Sequence, residues 1–310
     1  MTDRQLRYIL TIVEEGSLTS AAQKLYISQP SLSALLAKVE GDYGAKLFDR
    51  STSPLKLTYA GECYIQAARQ MLGIQKELRD KISDVQNNNA GKLSIGCGTH
   101  MSAYFFPLIL PVFMARYPKV QLELLEDNIM RFEKLLISDT LDLVFSTSPI
   151  YNSDIEGLPL FSEEVILLIP SFMDEGSNKY IQGRAFPIYD INALKDRPFV
   201  LFKKGRHLRR VSERIFEDNG INPNILLETN NWETCYSMVA EGLACTMLPH
   251  TPFKQILIDK HVKRYSLEGR PYRTYTIYYK KREYISKIME HFISLSKEMI
   301  CNVVTNFEKQ

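Results

Sequence analysis

The chain lacks several features that would assign it to a class of protein at once. Its 38 basic and 36 acidic side chains leave a net charge of only +2, so overall charge does not indicate a polyanionic partner. No apolar run approaches the roughly 18 residues of a membrane helix, because Pro107 and Pro111 interrupt the longest one. The N-terminus also lacks the basic and apolar pattern of a secretory signal. We therefore expect a cytoplasmic protein with no membrane partner.

Residue patterns typical of metal sites and enzymes are also missing. The five cysteines are scattered without a Cys-x-x-Cys pair, and the five histidines show no i, i+4 pairing. Cys235 and Cys245 would form a redox pair only after rearrangement of the chain. A Ser-x-x-Lys sequence at Ser294 lacks the motifs that accompany it in acyl-transfer enzymes. We expect no catalytic residues, no metal and no cofactor.

The first segment of the chain has the pattern of three short helices. Apolar residues recur at helical spacing from Leu6 to Val13, and Gly16 ends that pattern. Ser17 and Ser28 occupy N-cap positions for a second and a third helix. In the third helix, small hydroxyl and amide side chains lie opposite the apolar stripe, which suits close approach to the major groove of DNA. Two strand-like runs at 46–50 and 55–58 complete the pattern of a winged helix-turn-helix.

Four motifs in this segment make the interpretation specific. Residues 4 to 61 contain Ser-x-Thr-x-Ala-Ala, Ser-Gln-Pro-x-Leu-Ser, Leu-Phe-x-Arg and Leu-Thr-x-x-Gly in register. The segment thereby resembles the DNA-binding domain of LysR-type transcriptional regulators. The resemblance implies that one helix enters the major groove and that the wing contacts the backbone or minor groove. It assigns the groove face to Ser28, Gln29, Pro30, Ser31, Ser33 and Lys38, and the wing contacts to Arg50 and Thr58.

The segment departs from that family at the expected groove face. Family members usually carry a basic residue where this chain has Ala34, and often another at Ala37. Residues 1–60 contain only seven basic against six acidic side chains. Because each phosphate contact steepens the salt dependence of DNA binding by about one unit of slope, we expect a shallow slope here.

A single long helix is predicted after the winged domain of residues 1–58. Heptad spacing continues along Tyr64, Ala68, Met71, Gln75, Leu78, Ile82 and Val85, which predicts a seam that needs a partner helix. Asn87 to Gly91 has the composition of a helix end. We therefore assign residues 59–90 to a linker and hinge; the resemblance implies that this helix forms a homodimer, which can assemble further into a homotetramer.

The third segment, residues 91–310, alternates strand and helix patterns, which predicts an α/β domain with parallel sheet. Seven strands are expected, at 92–97, 121–125, 141–145, 165–169, 199–202, 225–228 and 244–248. The segment resembles the effector-binding region of the same family, which has two subdomains like those of periplasmic binding proteins. With crossovers near 161–165 and 265–267, the first subdomain takes about 91–163 and 267–310, and the second takes 164–266.

Ligands of such folds bind beyond the carboxyl ends of strands and at helix N-termini. This rule, combined with the resemblance, predicts an effector site formed by Thr99, His100, Met101, Ser102, Asn128, Ser146, Thr147, Phe202, Lys203, Asn231 and Trp232. Hydroxyl, amide and backbone N–H groups favour a small anionic effector. The cationic run 203–210 either contributes to anion binding or is a solvated face.

The sequence as a whole predicts a transcriptional regulator whose partners are double-stranded operator DNA, a small-molecule effector and further copies of itself, with RNA polymerase as a further candidate. Two alternatives stay open. A solute-binding receptor would need the α/β region and a secretory signal, but no helical N-terminal module. A DNA-binding oligomer with no effector would have a filled or collapsed cleft.

Overall fold

The computed structural model describes residues 2–86, 90–127, 129–174, 176, 178–182, 185–250, 261–282 and 284–307. The N-terminal part, called the head below, comprises α1 (Asp3–Glu15), α2 (Leu18–Lys24), α3 (Gln29–Tyr43) and a wing of antiparallel strands β1 (Phe48–Asp49) and β2 (Lys56–Leu57). Gly16 caps α1 in the left-handed conformation, and Ser17 and Ser28 cap α2 and α3 through their side chains. The predicted helix limits of the head are confirmed.

Helix α4 (Tyr59–Val85) leaves the head as one continuous rod of 27 residues. Tyr64 and Ala68, predicted as members of the exposed seam, are instead buried in the apolar core of the head. The seam prediction is wrong at this end, because α1 and the wing already cover the first three turns of α4. Exposed apolar side chains begin further along, at Met71, Ile74, Leu78, Ile82 and Val85. Asn87 to Asn89 lie outside the described residues, and Gly91 belongs to a strand rather than to a helix end.

The effector region begins with a half that is built on parallel strands. Its elements are β3 (Ala90–Cys97), α5 (Thr99–Tyr104), α6 (Phe106–Arg116), β4 (Lys119–Glu126), α7 (Ile129–Ile137) and β5 (Leu143–Ser146). Strand β3 pairs in parallel with both β4 and β5, so the carboxyl ends of all three meet at one edge.

The second half follows a strand of 16 residues, β6 (Ile155–Pro170). Its remaining elements are β7 (Asn178–Lys179), β8 (Ile188–Tyr189), β9 (Pro198–Phe202), α8 (His207–Asp218), β10 (Asn224–Thr229), α9 (Trp232–Ala240), β11 (Thr246–Pro249) and β12 (Val262–Tyr265). The chain then returns to the first half, where β13 (Tyr272–Lys280) pairs with β5 and α10 (Lys287–Phe307) packs on the apolar core. Each of the seven predicted strands overlaps an observed one, whereas β12 and β13 were not predicted.

Strand β6 connects the two halves. Residues Ile155 to Glu164 pair with β13, and Val165 to Pro170 pair with β11 and β12. All of these pairings are antiparallel, so the predicted parallel sheet is observed in the pairs β3–β4, β3–β5 and β9–β10 but not in the strands that cross between the halves. Separate apolar cores lie on either side of the crossing. The predicted effector cleft therefore lies at the boundary between two halves that are joined by β6 and by the segment from β12 to β13.

Candidate DNA-binding surface and effector cleft

The exposed face of α3 begins at its cap. The Ser28 hydroxyl accepts a hydrogen bond from the backbone N–H of Ser31 at 3.3 Å, and the two serine hydroxyls lie 2.7 Å apart. Gln29, Pro30, Ser31 and Lys38 are exposed, while Ser33 is half-buried. Ala34 and Ala37 are exposed on the same helix. The predicted groove face is thus a solvent-accessible surface of small side chains around the N-terminus of α3.

Glu40 is a buried carboxylate that connects α3 to the wing, and the sequence patterns gave no role to it. It accepts from the Leu47 backbone N–H at 2.9 Å and from Lys46 Nζ at 2.9 Å, and it lies 3.4 Å from the Arg50 guanidinium. Burial raises its pKa, but the hydrogen bonds from Lys46 and Leu47 outweigh burial and lower the pKa overall. Glu40 therefore holds Arg50, a predicted DNA contact, at the base of the wing.

The Thr58 hydroxyl forms two hydrogen bonds inside the head. It donates to the Lys46 carbonyl at 2.6 Å and accepts from the Gly61 N–H at 3.0 Å, which caps α4. A Cβ at Gly61 would lie 2.0 Å from the Leu47 carbonyl oxygen, so only glycine allows this approach. Both polar functions of Thr58 are engaged inside the head, which reduces what its side chain can offer to DNA.

Side-chain contacts among the described residues close the predicted cleft between the two halves of the effector region. The His100 ring, on α5, stacks on the Trp232 ring, on α9, with centroids 3.4 Å apart. Tyr104 donates to Glu233 at 2.5 Å, and Arg210 on α8 lies 3.3 Å from the Ser148 hydroxyl. Two predicted site residues, His100 and Trp232, are thereby brought into direct contact.

A buried charged cluster lies beneath this closure. The Arg273 guanidinium, on β13, pairs with Glu163 on β6, donates to the Tyr275 hydroxyl at 3.0 Å and lies 4.9 Å from the Trp232 ring centroid. Sequence analysis missed Arg273 and Glu163 because it did not predict β13. The run of tyrosine, threonine and isoleucine side chains from Tyr272 to Tyr279 was the sequence signal that could have predicted this strand.

His207 completes the cluster at the N-terminus of α8. Burial, together with the nearby charges of Arg273 and Arg210, lowers its pKa to about 4. Its Nδ1 atom is buried and has no hydrogen-bond partner among the described residues. The imidazole is therefore neutral near pH 7 and has an unused polar atom beside two arginines.

The other predicted effector residues are buried, are accessible or hydrogen-bonded near the predicted cleft, or lie outside the described residues. Met101 and Phe202 are buried in the two apolar cores, because their positions face inward from α5 and β9. Thr99 and Lys203 are exposed, Ser146 accepts from the Ser148 N–H at 3.0 Å, and Asn231 caps α9. Ser102 donates to Glu126, Thr147 is half-buried, and Asn128 lies outside the described residues.

Thiol and metal chemistry find little support in the described part of the chain. Burial raises the pKa of both Cys235 and Cys245 to about 12, so neither thiol ionises near neutral pH. Among the described residues, no group of three or more His, Cys, Asp and Glu side chains is placed to hold a metal. Within the same ranges, every helix is too short or too polar to cross a lipid bilayer.

Comparison with known proteins gives two domain matches. Residues 4–62 match the family described as bacterial regulatory helix-turn-helix protein, lysR family, and residues 86–300 match the LysR substrate binding domain. The uncharacterized HTH-type transcriptional regulator YcgK of Bacillus subtilis strain 168 is 30% identical over 311 residues, covering 97% of this chain and 95% of that protein. The regulator BsdA of the same organism is 27% identical, covering 95% of this chain and 100% of that protein.

Solved structures show the same arrangement. A full-length OxyR from Pseudomonas aeruginosa, in which one cysteine is replaced by aspartate, superposes with a TM-score of 0.69 at 25% identity, covering 97% of this chain and 94% of that chain. Full-length CbnR in complex with its target DNA superposes with a TM-score of 0.62 at 21% identity, covering 96% of this chain and 100% of that chain. The second likeness shows a shared fold.

Proposed function

Because the chain belongs to the LysR family of DNA-binding transcriptional regulators, we propose that it acts as a homodimer or homotetramer that reads an operator through α3 and responds to a small anion in the cleft. The observation that carries this proposal is the exposed α3 face, whose small side chains leave the helix N-terminus accessible. Ser28, Gln29, Pro30, Ser31 and Ser33 would contact bases and phosphates, and Lys38 and Arg50 would contact phosphates.

The exposed seam on α4 supports dimerisation. Met71, Ile74, Leu78, Ile82 and Val85 form an apolar stripe that water disfavours, and a second copy of the same helix supplies a matching surface. A dimer also carries two heads, which suits an operator with two half-sites.

Positive groups in the cleft support an anionic effector. The charges of Arg273 and Arg210 both act on His207, which begins α8, and the Arg273 guanidinium also lies 4.9 Å from the ring of Trp232, which begins α9. Glu163 already neutralises part of the Arg273 charge, so an anion would compete with that pairing. The closed cleft favours a second candidate, a DNA-binding oligomer that takes no effector.

DNA binding is tested by fluorescence anisotropy with a labelled duplex from immediately upstream of the protein's own gene. A scrambled duplex of equal length is the control, and both are measured at two salt concentrations. We expect tighter binding to the upstream duplex, with a shallow salt dependence. Equal and weak binding to both duplexes would lead to a genome-wide search for bound sites, and failure there would refute the regulatory function.

The effector is tested by thermal-shift screening with carboxylates, phosphates and neutral metabolites. Arg210→Ala should abolish the shift caused by an anionic hit, whereas Arg214→Ala, an exposed arginine on the same helix, should retain it. Hits confined to neutral or cationic compounds would refute the anionic class. A screen without any hit would favour the effector-free oligomer.

A further inference from the structure

The end of α2 has an unusual residue at its cap. The backbone N–H of Ile27 donates to the Ala22 carbonyl at 3.0 Å, and that of Tyr26 donates to the Gln23 carbonyl at 3.1 Å. This pair of bonds is the Schellman arrangement, in which one residue adopts the left-handed conformation. Tyr26 is that residue, with φ of 55°.

Two other helices of the head also end at a residue in the left-handed conformation, and in both that residue is glycine. Gly16 after α1 has φ of 63°, and Gly44 after α3 has φ of 64°. Glycine adopts this conformation without steric conflict, whereas the Cβ of tyrosine approaches the neighbouring backbone. Tyr26 is therefore strained in a conformation that glycine adopts at the corresponding positions after the other two helices of the head.

Packing does not explain the choice. Leu25 and Ile27, on either side, are half-buried against the core of the head, but the Tyr26 residue is 95% exposed. The turn is thus held by its neighbours, and the phenol extends into solvent two residues before Ser28, the cap of α3. Backbone strain that no internal contact compensates is typical of residues retained for function.

We propose that Tyr26 is a DNA-contacting residue whose phenol hydroxyl donates to a backbone phosphate beside the groove that α3 enters. This inference rests on the proposed DNA-binding function of the head. A tyrosine hydroxyl is a phosphate donor that fixes orientation without reading sequence. Its contribution fits a head with few basic side chains, because a neutral donor adds affinity without adding charge.

The first test is Tyr26→Phe in the full-length protein, measured by anisotropy with the upstream duplex and with the scrambled duplex. The variant keeps the ring and loses only the hydroxyl. We expect affinity to fall roughly tenfold for both duplexes, as for the loss of a hydrogen bond to a charged acceptor. The slope of affinity against salt should stay unchanged, since a neutral donor releases no counterion. Tyr151→Phe, at an exposed tyrosine of the effector region, is the matched control.

The second test is Tyr26→Gly, which separates binding from folding. Glycine relieves the strain of the left-handed conformation. The thermal unfolding midpoint of the head, measured by calorimetry, should therefore rise by about 2–4 °C. DNA affinity should nevertheless drop as in the phenylalanine variant. A purely structural tyrosine would give a lower midpoint in the glycine variant and unchanged affinity in the phenylalanine variant, and either result overturns the proposal. Wild-type protein that binds no duplex would instead refute the proposed function itself.

Discussion

At the scale of the residue, the buried polar groups distinguish the two parts of the molecule. Glu40 in the head has three donors around one carboxylate, so its charge is stabilised in place. His207 in the cleft has the opposite environment, with burial and two arginines that disfavour its charged form. Glu40 thus fixes the wing, while the Nδ1 atom of His207 is buried without a hydrogen-bond partner among the described residues.

The environment of His207 makes stability depend on pH. Its pKa is about 4 in the folded state, below the ordinary value of 6.5, so the unfolded chain binds a proton first as pH falls. The contribution of His207 to the free energy of unfolding is therefore fully present above pH 6.5 and is lost as pH falls toward 4, by up to about 3 kcal/mol; His250, whose pKa is also lowered to about 4, contributes in the same direction. His207→Gln should reduce this dependence, measured by urea unfolding with Trp232 emission between about pH 7.5 and 5.

The control for this measurement is His261→Gln, at an exposed histidine. That variant should keep the pH dependence of the wild type. If His207→Gln and His261→Gln gave the same pH profile, the buried environment of His207 would be refuted.

Residue-scale features were those that the sequence predicted well. Gly16, Ser17 and Ser28 act through hydrogen bonds within three or four residues of chain, so their positions identify helix ends before any fold is known. Arg273 could not be found in that way. Its partners Glu163 and Trp232 are 110 and 41 residues away, and only the pairing of β6 with β13 brings them together.

At the scale of the element, α4 has three different surfaces. Its first turns contribute Tyr64 and Ile65 to the core of the head. Further along, Lys76 pairs with Asp142 at 2.7 Å, and Asp84 accepts from the Lys287 backbone N–H at 2.9 Å, which attaches the helix to the effector region. The exposed seam occupies a third surface. The heptad pattern alone did not separate these uses, because apolar spacing is the same for an internal core and for a partner helix.

The seam gives a prediction about assembly. Leu78→Lys places a charge in the middle of the apolar stripe, where a partner helix would bury it without compensation. We expect the dimer dissociation constant to rise at least about 100-fold, measured by analytical ultracentrifugation across a concentration series. Gln70→Lys, at an exposed polar position of the same helix, should leave assembly unchanged. Equal behaviour of the two variants would exclude the seam as the dimer interface.

At the scale of the whole molecule, side-chain contacts among the described residues hold the two halves of the effector region together. His100 with Trp232, Tyr104 with Glu233 and Arg210 with Ser148 join halves whose cores are otherwise separate. Because the two halves share β6, they stay connected when these contacts break. An effector that entered the cleft would have to replace these contacts with its own. Its affinity would therefore depend on the free-energy difference between the open and closed states.

Trp232 is the only tryptophan of the chain, which makes closure measurable. It is now 8% exposed beneath His100. His100→Ala removes the stacked ring and should admit water, so the emission maximum should move to longer wavelength and acrylamide quenching should increase about twofold or more. The Trp232→Phe variant gives the emission of the tyrosines alone, which is subtracted as background. An unchanged maximum in His100→Ala would show that the stack does not form in solution.

The attachment of α4 at both ends has a mechanical consequence. A helix of 27 residues is about 40 Å long, and it is clamped to the head at Tyr64 and to the effector region at Asp84. If the helix tilts by about 5° about one of its ends, its other end moves by about 3.5 Å, which is close to the spacing of one base step. In the proposed dimer, a movement of this size would be enough to shift one head relative to the other along a DNA duplex.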